Sequence, residues 1–360
     1  MVAPRSSSLA LLVSLLLVAC ASAPVVPTPP GSDRPSSPPC SGFLACLLAC
    51  DRGDFHACTR AADRLRYGSG TARDLPYAER LYRRACEAGV GLGCAGWGWV
   101  SKAPVSDDAF RRARPLLESA CARDDAEACV SVGLLHLEGR GGAVQATEGE
   151  ARLRRGLGLL ASACEAGEGT ACVRAATLFE AGPAPVRDDA RALASLQRAC
   201  EAGVPGGCSA LALRYLTGRG VAPDRARALE LYRRVSELFR AACEAGESSA
   251  CAELGQAFAV GQGGVADPAR ALVYQEKACA LGEVASCLGA AERVRQGAEG
   301  VTPDATRASS LEARAEALLD AACGSGSGVA CLSLAERVTP ERARALRQRA
   351  CELGQSRACE

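Results

Sequence analysis

The chain has 360 residues, 48% of them hydrophobic but only 4% aromatic, with 21 cysteines and 38 glycines. Its formal net charge is +1, and arginines and carboxylates are interleaved along it, so neither a phosphate backbone nor an anionic lipid surface would draw it electrostatically. Length alone would suggest two or three compact domains, but the repetition described below replaces that expectation with one array of helices packed on small side chains.

Residues 1–19 carry one early cation, Arg5, and an apolar run from Leu9 to Val18 that is too short to span a bilayer. This pattern predicts a signal peptide. The run ends in Leu17-Val18-Ala19-Cys20, which resembles the lipobox of bacterial lipoproteins and so implies cleavage before Cys20 and acylation of that residue. More than one acyl chain would hold the protein on a membrane, where a single chain binds only marginally. Residues 20–39 contain Pro24, Pro27, Pro29, Pro30, Pro35, Pro38 and Pro39 and almost nothing to bury, which predicts a disordered, semi-rigid tether. Residues 40–360 are left as the repeat domain.

Nine cysteine pairs share one spacing: Cys50 with Cys58, Cys86 with Cys94, Cys121 with Cys129, Cys164 with Cys172, Cys200 with Cys208, Cys243 with Cys251, Cys279 with Cys287, Cys323 with Cys331, and Cys351 with Cys359. Alanine precedes the first cysteine of every pair. Glycine stands three residues after it in all but one, where Asp124 takes the place. A helix C-terminus needs such a residue to enter the left-handed conformation, so the first cysteine should end one helix and the second begin the next. In an oxidising compartment these pairs become disulfides, each closing a short loop and contributing about 2–3 kcal/mol in the chain-entropy model. Zinc sites would need closer spacings or histidine partners. Cys40 and Cys46 remain as a possible tenth bridge.

Four residues after each second cysteine the chain keeps Gly or Ala: Ala62, Gly98, Gly133, Ala176, Ala212, Gly255, Ala291 and Ala335. A bulky residue usually follows three later, as at Leu65, Phe179, Tyr215 and Phe258. These positions share one helical face, whose small slot lets a second helix approach closely. A Gly-x-Gly turn comes next, clearest at Gly218-Arg219-Gly220, then a second helix. The array is therefore eight stacked αα-hairpins behind a half-hairpin from Phe43 to Cys50. The intervals Cys129 to Cys164, Cys208 to Cys243 and Cys287 to Cys323 are longer by about two helical turns, at 3.6 residues per turn, which extends the second helix without rotating its buried face. Hairpins of this kind are expected to touch only their neighbours, so stability should be a sum of local terms.

Tyr215, Gly218, Gly220, Val221, Asp224, Ala228, Tyr232 and then Ala242-Cys243-Glu244-Ala245-Gly246 resemble the Sel-like repeat, a relative of the tetratricopeptide repeat. The added cysteine pairs make the chain similar to the secreted cysteine-rich Sel-like proteins called Hcp. The resemblance covers about Cys50 to Glu360 and departs at Trp97 to Ser106, which lacks the Gly-x-Gly turn, and in the shortened last unit. It implies an all-α solenoid, a tetratricopeptide-like superhelix that holds a protein or peptide partner in its concave groove. It also implies, for some cysteine-rich members, penicillin binding and weak β-lactamase activity.

The residues themselves offer that chemistry no support. The only lysines, Lys102 and Lys277, follow Trp99 and Tyr274 at three residues' distance, so Ser-x-x-Lys is absent. The only histidines are His56, expected solvated in an inter-helix loop, and His136, expected to be a packed core side chain at the slot of Tyr215 and Phe258. No hydrolase elbow, zinc-protease motif or phosphate loop occurs, and no catalytic residue, cofactor, metal or nucleic-acid partner is assigned. Five residues after the second cysteine the repeats vary freely, which makes Trp99, Gln256 and Glu292 candidate groove contacts. A solvent face would vary as well, and Trp99 would equally fill the gap left by the irregular second repeat.

The leading reading is a membrane-tethered, extracytoplasmic interaction scaffold, anchored to the cell membrane or outer membrane on the periplasmic side. A weak β-lactam-binding protein and a cell-wall-associated structural protein are the alternatives. Replacing Cys20 with Ser should move the protein from the membrane pellet to the soluble fraction. Unchanged partitioning on ultracentrifugation would remove the lipid anchor from this reading.

Overall fold

Alanine-rich segments that end in a left-handed residue fold here into helices joined by tight turns. The computed structural model describes Cys40 and residues 43–69, 71–262, 264–355 and 358–359; the expected signal peptide, Cys20 and tether lie outside them. After α1 (Phe43–Asp51) come eight hairpins. They are α2 (Phe55–Tyr67) with α3 (Leu75–Glu87), α4 (Gly91–Val100) with α5 (Val105–Ala122), α6 (Ala126–Glu138) with α7 (Ala146–Glu165), and α8 (Gly169–Ala181) with α9 (Asp189–Glu201). The chain continues through α10 (Pro205–Thr217) with α11 (Arg225–Glu244), α12 (Ser248–Val260) with α13 (Pro268–Ala280), α14 (Val284–Gln296) with α15 (Ala305–Gly324), and α16 (Gly328–Ala335) with α17 (Pro340–Glu352). The extra turns lie where the intervals placed them, since α7, α11 and α15 have 20 residues and α3, α9 and α13 have 13.

Each junction between hairpins is closed in two ways. The residue three after the first cysteine has positive φ throughout, and Asp124, at φ 65°, is the one non-glycine residue in that region among those described. The two sulfurs are bonded at every predicted pair, with Cα separations from 4.4 to 5.0 Å, and Cys40–Cys46 forms the tenth bridge. The second cysteine sits one turn inside its helix instead of at the start, because the cap, Asp54, Asp125 or their equivalent, stands four residues earlier. The motif aspartates serve the second helices similarly: Asp74, Asp188, Asp224, Asp267 and Asp304 each accept the backbone N–H three residues on.

The small slot belongs to the contact inside a hairpin. A Cβ built on Gly133 would stand 2.8 Å from the Gly149 carbonyl and the Leu153 amide of α7, and one on Gly98 would enter the Phe110 ring of α5. Gly255 faces Gln275 and Ala271 of α13 with slightly more room, at 3.1–3.3 Å.

One expectation fails. The superhelix turns far enough to bring its last hairpin back onto α3, so the units do not touch only their neighbours. Asp74, 1% exposed, caps α3 and also accepts the Val329 amide (3.0 Å), the Ser327 hydroxyl (3.3 Å) and the Gln355 side-chain amide (2.8 Å). Beside it the Tyr77 hydroxyl donates to the Ser325 carbonyl at 3.1 Å. Arg80 donates to the carbonyls of Leu353 and Gly326. An ordinary N-cap has thus become the clasp between two ends of the array.

Asp74→Ala should strip a cap and strand several buried donors, costing about 3 kcal/mol or more, whereas Asp224→Ala, at an exposed cap, should cost about 1 kcal/mol. Hydrogen exchange should show protection lost at residues 325–355 as well as around α3 in the first variant. Loss confined to α3 would mean the ends are not energetically coupled.

Candidate functional site

The clasp places α1 and the turn after α2 opposite α12, α14 and α16, and these walls surround a cavity of about 910 Å³. Its lining follows from helical periodicity. Ser249, Ala252, Glu253 and Gln256 recur at three- and four-residue steps on α12, on the face opposite Cys251, Leu254 and Gly255, which are buried in the stack. Equivalent faces of α14 and α16 present Val284 with Leu288 and Val329 with Ser333. The opposite wall carries Phe43 and Leu48 of α1 and the turn at Gly68, Thr71 and Ala72. Leu48 and Leu281, 57% and 39% exposed, put aliphatic surface in contact with solvent there.

Four carboxylates line this space, those of Glu247, Glu253, Glu283 and Glu336, against one guanidinium, that of Arg337. Burial pushes the Glu283 carboxyl above the ordinary glutamate value, partly offset by the hydrogen bond the Ser248 hydroxyl donates at 3.1 Å and by the charge of Arg64.

Of the three candidates read from the variable slot, the structure brings Gln256 alone into the cavity. Trp99, still 36% exposed, packs edge-on against Phe110 of the irregular second hairpin at 5.1 Å between centroids and lies under the Arg140 guanidinium, away from the cavity. Glu292 is exposed and bonded to Arg295 and Gln296 of its own helix. The serine and glutamate residues that also line the wall occupy repeat slots as variable as that of Gln256, and their three- and four-residue spacing from it on the α12 face was the available signal.

Of the two histidines, His136 is packed in the core as expected and His56 is not in a loop. His136 is buried, at 3% exposure, but its Nε2 meets Glu118 at 2.9 Å and its Nδ1 faces Arg114. A guanidinium only donates, so Nδ1 accepts and the proton on Nε2 goes to Glu118: within the core the side chain is a polar link between α5 and α6. His56 lies in the first turn of α2, half-buried, because the helix begins at Phe55. Between α2 and α3 the Tyr82 hydroxyl donates to Asp63 at 2.5 Å, and burial raises the pKa of both groups. Among the described residues no group of three His, Cys, Asp or Glu side chains could hold a metal, and no helix is long and apolar enough to cross a membrane.

Stacked helical hairpins with a lined interior define a repeat solenoid of the interaction-scaffold class. The chain belongs to the Sel1 repeat family, whose repeat matches residues 55–90, 126–168, 169–204, 205–247 and 248–283, more than half of the sequence. Proteins of this family generally act as scaffolds for protein interactions. The matches skip the second hairpin, where the Gly-x-Gly turn is missing. No curated protein matches the chain. Similar solved structures include a Sel1 repeat protein from Oxalobacter formigenes, at 21% identity over 89% of this chain and 93% of that one, with a TM-score of 0.42. A protective antigen of uropathogenic Escherichia coli strains displaying an SLR fold is 19% identical over 88% of this chain and 73% of its own, at a TM-score of 0.38. An immunity protein of Pseudomonas aeruginosa is 15% identical over 78% of this chain and 88% of its own, at 0.31.

The raised pKa of Glu283 has a testable sign. Its protonated form is favoured by the fold, so wild-type stability should fall as pH rises through the window between the unfolded and folded values of this group. Glu283→Gln should therefore unfold at a higher temperature than wild type at pH 7, with the difference closing as pH drops to about 4, near the unfolded glutamate value. Thermal unfolding followed by circular dichroism across that range would show it; a variant less stable at pH 7 would mean the Ser248 and Arg64 contacts outweigh burial.

Proposed function

We propose that this protein is an extracytoplasmic, membrane-tethered scaffold that holds an extended segment of a partner protein in the cavity enclosed by the clasp. The single observation that carries this reading is the cavity itself: about 910 Å³, within the range of roughly 300–1,000 Å³ typical of ligand sites, with aliphatic side chains left in solvent beside polar ones. Family membership supports a protein partner. Ten bridged cysteine pairs support an oxidising compartment and a place among the cysteine-rich, secreted Hcp-like members. The lipobox-like Leu17 to Cys20 supports the anchor.

A photo-crosslinking residue placed at position 256 should capture a defined partner in envelope preparations, whereas the same residue at position 154, on the exposed side of α7, should not. Capture only from position 154 would place partner binding outside the cavity.

A further inference from the structure

Resting on that reading, we propose that the segment held in the cavity is a cationic peptide in which Lys or Arg alternates with aliphatic side chains. The argument begins with how this chain handles charge elsewhere. Many of its carboxylates are matched by a nearby arginine: Asp51 by Arg84 at 2.9 Å, Asp124 by Arg155 at 2.7 Å, Asp320 by Arg342 at 2.7 Å, Glu312 by Arg295 at 2.6 Å. In the described lining of the cavity carboxylates outnumber cations four to one. Glu247, Glu253 and Glu336 line it without an ion-pair partner among the described residues, and Arg337 is the one cation in the lining. The overall charge of +1 makes this a local excess, not a property of the whole chain.

The same lining presents apolar side chains, Phe43, Leu48, Val284, Leu288 and Leu318, alongside the carboxylates. A wholly apolar occupant would desolvate the carboxylates with no compensating charge, and an acidic one would meet repulsion. A small cation such as a divalent metal finds no group of three ligating side chains, and would leave the aliphatic surface wet. A strand with alternating cationic and aliphatic side chains satisfies both surfaces, because successive residues of an extended chain point to opposite sides. A cation beside Glu283 would also offset the burial that raises its carboxyl above the ordinary glutamate value.

The test uses the oxidised protein and three synthetic peptides of about ten residues, roughly 33 Å when extended: alternating Lys and Leu, alternating Glu and Leu, and alternating Lys and Ser. In calorimetric titration the Lys-Leu peptide should bind, and the other two should bind at least about tenfold more weakly. The double variant Glu253→Gln/Glu336→Gln should weaken Lys-Leu binding by about tenfold, and Glu150→Gln/Glu230→Gln, with the same change in net charge away from the cavity, should leave it unchanged. Gln256→Trp, which fills the cavity from an exposed position on α12, should abolish it. Circular dichroism would establish that each variant keeps its helices. Equal loss in the two charge variants, or no Lys-Leu binding at all, overturns the inference. Glu-Leu binding that matches Lys-Leu and is blocked by Gln256→Trp overturns the charge argument alone and leaves the cavity as the site. Binding indifferent to Gln256→Trp overturns the cavity reading, and the inference with it.

Discussion

Everything in this fold depends on how closely the two helices of a hairpin approach. That approach is set by Gly or Ala at one slot, and its cost is a core made largely of methyl groups: Ala57, Ala61, Ala62, Ala78 and Ala85 are all fully buried in the first hairpin alone. Burying a methyl contributes about 0.8 kcal/mol, well below a Leu or Phe side chain, so the array has little apolar area with which to offset chain entropy. The bridge at each junction supplies what the core lacks. It restricts the unfolded chain and fixes the angle at which the next hairpin leaves, so the same covalent unit serves stability and geometry.

Repetition of one junction angle accumulates into a superhelix, and this accumulation has a consequence no single repeat contains. After eight hairpins the chain meets itself at Asp74. A residue whose counterparts Asp188 and Asp224 do no more than cap a helix here accepts hydrogen bonds from three separate groups of the last unit. Solenoids whose units contact only their neighbours lose stability locally; one whose ends are joined gains a long-range term. The same contact turns an open concave face into a walled cavity, which makes the clasp a condition for the proposed site.

Charge is arranged at two levels. Along the outer helices Arg and Glu or Asp pair at exposed positions, where each pair contributes little to stability but keeps the surface near neutral. Inside, His136, Asp63 and Arg214 join helices through buried polar contacts, Arg214 reaching Glu180 and Asp189. The cavity differs in balance: among its described lining residues carboxylates outnumber cations four to one.

The sequence by itself determined the local unit. Cysteine spacing, the left-handed residue at Gly89 or Asp124, the small slot at Gly133 and the two added turns of α7 were all legible, because each is a constraint between residues a few positions apart. The tertiary structure alone decided which faces meet at long range. Asp74 carries the same cap signature as its counterparts, so nothing local marks it as the clasp. Gln256, Trp99 and Glu292 share one repeat slot, yet only Gln256 lines the cavity. The reason is physical: the rotation from one hairpin to the next is small, and its sum over eight units places α1 and the turn after α2 against α12 to α16, a distance in sequence over which side-chain periodicity carries no information.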